Sequence, residues 1–106
     1  MVNQMYKFTD VDFTVTAQNA HFLTARKIRI NLAQEYVKFE VPTEHIDVVS
    51  DTVLTFYLTQ EESGLFSTRE KCYIQINYLN SAGKRVPTNI KPFDVFPNLL
   101  NEVMHE

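Results

Sequence analysis

Two runs of strict period-two alternation constrain this chain more than anything else in it. Val53-Leu54-Thr55-Phe56-Tyr57-Leu58 puts Leu54, Phe56 and Leu58 on one side, and Cys72-Tyr73-Ile74-Gln75-Ile76-Asn77-Tyr78 does the same with Cys72, Ile74 and Ile76. Side chains of a strand point alternately to opposite faces, so each run reads as a half-buried β-strand. Between them lies a polar, acid-rich connection, Thr59–Gly64. The pair is the expected nucleus of the core, a hairpin-like central unit.

The rest of the chain repeats the pattern. Val11, Phe13 and Val15 alternate with polar residues, which predicts a strand over residues 9–16. Ile28, Ile30 and Leu32 mark a second over residues 26–32, and Val37, Phe39 and Val41 a third, which Pro42 stops because proline cannot donate to a ladder. Phe22-Leu23 reads as a short strand or turn, and residues 43–47 as one helical turn or a short strand. Residues 1–8 read as a loosely held lead-in. Thr59 with Glu62 three residues on fits a capping box, so one helical turn is expected near residues 59–65. Asn80-Ser81-Ala82-Gly83-Lys84 is the strongest turn signal. Residues 86–96 are extended but carry Pro87 and Pro92, with Pro97 just beyond, so they suit an edge or bent strand. Asn98 is placed to cap a short terminal helix over residues 98–106, with Leu99, Leu100, Val103 and Met104 along one side.

Six or seven short strands with frequent turns predict a mainly β fold, an antiparallel immunoglobulin-like β-sandwich, with a small barrel as the alternative. At 106 residues the chain is expected to be a single domain, 1–106. It has one cysteine and no tryptophan, so it lacks the Cys–Trp–Cys hallmark of true immunoglobulin domains. A formal charge of −3 argues against a nucleic-acid partner, which needs surplus Lys and Arg. No run approaches the ~20 apolar residues of a membrane helix, and Met1–Tyr6 has neither the basic nor the apolar region of a signal peptide. A protein made and folded in a cytoplasm is expected.

Candidate chemistry is sparse. His21, His45 and His105 are far apart and in no metal-ligand spacing. Cys72 lies on an apolar face and reads as a small buried hydrophobe. Glu61 and Glu62 read as capping acids rather than a catalytic pair, and two glycines are too few for a phosphate loop. No enzyme activity, cofactor or metal is therefore expected. The faces opposite the core carry Thr55, Tyr57, Tyr73, Gln75 and Asn77, which are rich in tyrosine and amide and poor in charge. That composition suits an interface as well as an ordinary β surface.

Ile28–Leu32, Leu54–Glu62 with its Leu-Thr-Gln-Glu-Glu turn, Ile74-Gln75-Ile76, Ala82-Gly83, Thr88-Asn89-Ile90 and Leu99–Val103 form an ordered set. From about Lys27 to Val103 the chain resembles small proteins encoded in phages and prophages of Gram-positive bacteria. The resemblance implies a virion structural protein, associated with tail or baseplate and assembled in the host cytoplasm. Its partners would be copies of itself or other virion proteins. The resemblance supplies no active residues. The expected function is a non-enzymatic assembly module working through protein–protein contacts. The alternative is a carbohydrate- or host-wall-binding module, for which the chain offers no tryptophan.

Overall fold

The computed structural model describes residues 4–106. The protein is mainly β, 44% strand against 10% helix, and most of its strand pairs are antiparallel. The strands are β1 (Gln4–Tyr6), β2 (Val11–Thr16), β3 (Lys27–Ala33), β4 (Lys38–Glu40), β5 (Ile46–Val48), β6 (Val53–Leu58), β7 (Cys72–Leu79), β8 (Arg85–Pro87) and β9 (Lys91–Phe96). Short 3-10 turns occupy Phe22–Thr24 and Thr43–His45, and one helical turn, α1, covers Gln60–Ser63. Among the described residues no helix is long and apolar enough to cross a membrane.

The strands form two sheets. One has the order β1-β9-β7-β3-β4, with β8 alongside β7 beyond β9; the other is β2-β6-β5. The alternation read from the sequence sets which side chains go inward. Leu54, Phe56 and Leu58 of β6 and Cys72, Ile74 and Ile76 of β7 all enter one shared core. Phe13 stacks on Phe56 within its own sheet and meets Phe93 of the other, with ring centroids 5.2 Å apart.

Several expectations need correction. β6 and β7 are not a hairpin: β6 lies between β2 and β5, while β7 pairs with β3, β8 and β9. Periodicity fixes the face a strand buries, not its partner. Among the described residues the strands number nine, because the extended stretch near residue 86 breaks into β8 and β9, residues 46–48 form β5, and Gln4–Tyr6 joins the larger sheet. The lead-in expectation fails for that last segment: Gln4–Tyr6 runs parallel to β9, and the Met5 side chain is buried. The first three residues of the expected lead-in lie outside the described residues. The expected edge character of residues 86–96 is only partly met. β9 is paired on both sides, but β1 meets it only at Asp94–Phe96, leaving the Pro92 stretch open on that side.

No terminal helix forms over residues 98–106. Asn98 Oδ1 does accept the Leu100 N–H (3.1 Å), but no helical turn follows. Instead the Gln60 side-chain amide accepts the Met104 N–H (2.8 Å) and donates to its carbonyl, holding the backbone there as a strand partner would. Leu99, Leu100 and Met104 remain exposed, so there is no buried stripe to pay the cost of nucleating so short a helix.

The helical turn at α1 matches the sequence reading. Thr59 Oγ1 accepts the Glu62 N–H and Glu62 Oε1 accepts the Thr59 N–H, a complete capping box. The Asn80 turn matches too: its Oδ1 accepts from the N–H groups of Ala82 and Lys84, and Gly83 takes φ +78°, where a side chain is disfavoured.

Candidate functional site

Strand β2 is the longest strand left open along an entire side. Its pairing with β6 continues one rung further, because the Ala17 N–H donates to the Thr52 carbonyl (2.8 Å) in the same register. Bonded rungs alternate in an antiparallel ladder. Val11, Phe13 and Val15 therefore turn their backbone groups toward β6, and Asp12, Thr14 and Thr16 turn theirs to the open side. One side chain agrees with that assignment: Lys91 Nζ donates to the Thr16 carbonyl, which no neighbouring strand occupies.

Beside this edge, between the two sheets, lies a cleft of about 580 Å³. Ile74, Ile76 and Val86 give it an apolar floor, and Thr16, Gln18 and Asn19 line it on the β2 side. Asn19 holds φ +64°, a left-handed conformation that asparagine tolerates better than most residues. Lys91 is the one charged side chain among the lining residues. An open row of peptide groups next to an apolar hollow has the parts needed to receive an extended segment: hydrogen bonds from the edge, and space for alternate side chains.

The five expected interface residues do not form one patch. Thr55 and Tyr57 lie on the outer face of the β2-β6-β5 sheet, while Tyr73, Gln75 and Asn77 lie on the outer face of the larger sheet. Because the sheets face each other across one core, these two surfaces look in opposite directions. The chain itself engages several of the five. Gln75 Nε2 donates to the Thr88 carbonyl (3.0 Å), and Asn77 Oδ1 accepts from Arg85 Nε (3.1 Å).

The Tyr57 ring is stacked under the His45 imidazole, with centroids 4.0 Å apart. His45 stands opposite Tyr57 where the β5–β6 register runs on. Its own N–H is taken by the Pro42 carbonyl, and its Nδ1 donates to the Tyr57 carbonyl (3.0 Å), so a side chain replaces the missing rung. Glu62 Oε1 lies 3.5 Å from the same nitrogen.

Among the described residues no three of His, Cys, Asp and Glu gather to hold a metal ion. Cys72 is buried, and desolvation pushes its thiol up to about 12. The strand cations Lys27 and Arg29 lie with Arg85 along a groove on the outer face of the larger sheet. Arg29 is paired there with Glu40, whose carboxyl it holds below the usual range.

The open edge and its cleft were not singled out from the sequence. The signal that bears on them is the parity of the β2–β6 register, which requires knowing the partner strand. No family model matches the chain, and neither a curated protein nor a solved structure shows significant similarity to it.

Proposed function

We propose that the chain is a non-enzymatic assembly module that makes protein–protein contacts by adding a strand to β2. The observation carrying this reading is the open row of peptide groups at Asp12, Thr14 and Thr16 beside an apolar-floored cleft. The resemblance to phage and prophage proteins supports a place in a virion, with copies of the chain or other virion proteins as partners. The two sheets, joined by contacts such as Phe13–Phe93, are read as the layers of an immunoglobulin-like sandwich, with the parallel β1–β9 pair as its departure from an all-antiparallel plan. Carbohydrate binding is the weaker reading. It needs exposed coplanar rings, and Tyr57 and Tyr73 belong to different sheets, with Tyr57 stacked under His45.

The test is light scattering after size exclusion, with calorimetry against purified products of the adjacent genes. Thr14→Pro removes one outward N–H that no strand accepts, a position where an edge strand tolerates proline. The native chain is expected to associate with itself or with one of those products, and the variant to lose that association while keeping its β spectrum. A native chain that stays monomeric at millimolar concentration and binds none of them contradicts the reading.

A further inference from the structure

We propose that the segment received at the β2 edge is the C-terminal tail, residues 98–104, of a second copy, so that copies join head to tail. This rests on the assembly reading above and names its partner.

Two features of the molecule complement each other, although the tail is tied to its own chain through Asn98 to the Lys7 carbonyl and Met104 to Gln60. One is the cleft, with its apolar floor and a single cation, Lys91. The other is the tail, where Leu99 is fully exposed at 107% and Met104 is 66% exposed. The tail carries Glu102 and Glu106 and neither Lys nor Arg. In an extended segment Leu99 and Val103 fall on the same side, so that one of them reaches the cleft floor at the Thr16 end while the backbone pairs along Asp12, Thr14 and Thr16. The acidic tail complements Lys91, the one cation of the cleft, and release of Lys91 from the Thr16 carbonyl frees that carbonyl for a ladder bond.

Placement makes the contact one between copies. β9 begins at Lys91, beside the cleft, and ends at Phe96, where the tail departs. The tail then meets Gln60 of α1, next to the end of β6 that pairs with Val11. The cleft adjoins the other end of β2, at Thr16. Tail and cleft therefore lie at opposite ends of the strands. Joining the tail of one copy to the cleft of the next is a heterologous contact, which closes into a ring or extends as a filament.

The experiment uses the full chain carrying Leu99→Asp and Val103→Asp as acceptor, so that its own tail does not compete. The probe is a fluorescein-labelled peptide of residues 97–106, followed by anisotropy. Saturable binding of the native peptide is expected, with the same peptide bearing the two Asp substitutions weaker by about tenfold or more. The acceptor with Thr14→Pro added is expected to bind equally weakly. Because the first comparison changes only the peptide, misfolding cannot produce it. No binding of the native peptide overturns the inference. So does a full chain with both Asp substitutions that self-associates as strongly as the native protein: that result leaves the assembly reading standing and points to pairing between two β2 edges. A full chain with Lys91→Ala that associates more strongly than the native one also overturns it, since Lys91 then guards the edge.

Discussion

At the scale of single residues, stability is concentrated in a few buried polar and close-packed positions. Gln34 is buried, and both polar atoms of its side chain are hydrogen-bonded. Its Nε2 donates to the carbonyls of Ser67 (2.7 Å) and Glu70 (3.1 Å), and its Oε1 accepts the Ser67 N–H (2.8 Å). This one amide fastens the connection before β7 to the β3–β4 hairpin. Gln34→Leu strands three backbone groups, and chemical denaturation is expected to read a loss of about 3 kcal/mol. Gly64 packs under the Phe8 ring, and an added Cβ would lie 2.5 Å from Phe8 Cε1. Phe8 itself holds φ +57°, costly for an aromatic residue, so neither partner has slack. Gly64→Ala is expected to cost about 1–3 kcal/mol in the same assay. Burial closes Cys72 to solvent and pushes its thiol up to about 12, so a thiol reagent at pH 8 is expected to label the chain only after unfolding. Rapid labelling of the native protein would contradict its burial.

At the scale of elements, the sequence made some things legible and hid others for identifiable reasons. The inward faces of β6 and β7 could be read because Leu54, Phe56, Leu58, Cys72, Ile74 and Ile76 obey the pleat. The capping box at Thr59 could be read because its two partners are three residues apart. Pairing was hidden, since β2 and β6 are separated by more than thirty residues and nothing local records that they meet. β1 was hidden as well: three residues are too few to show a period, and their parallel partner β9 lies at the far end of the chain. Met5→Ala tests that element, with an expected loss of about 2–5 kcal/mol from the core against little effect from a loose lead-in. The expected terminal helix does not form, because an apolar stripe makes a helix only where a surface receives it. Deleting residues 98–106 is accordingly expected to leave the unfolding midpoint nearly unchanged and to remove self-association.

At the scale of the whole molecule, the two sheets differ in how they end. The larger one finishes in the three-residue strands β1 and β4, and the smaller one leaves the six-residue β2 open along one side. Short edges resist adventitious pairing, whereas a long open one invites it. The expected surface of Thr55, Tyr57, Tyr73, Gln75 and Asn77 was composed from two strands assumed to be neighbours. Once they belong to opposite sheets it divides, which leaves the open β2 edge as the candidate contact. The most direct measurement is residue-resolved amide exchange across a concentration series. In dilute protein the amides of Asp12, Thr14 and Thr16 should exchange fast while those of Phe13 and Val15 are protected, and concentration should slow the first group without altering the second. Fast exchange of Asp12, Thr14 and Thr16 that persists unchanged at concentrations where the protein is associated would contradict the account.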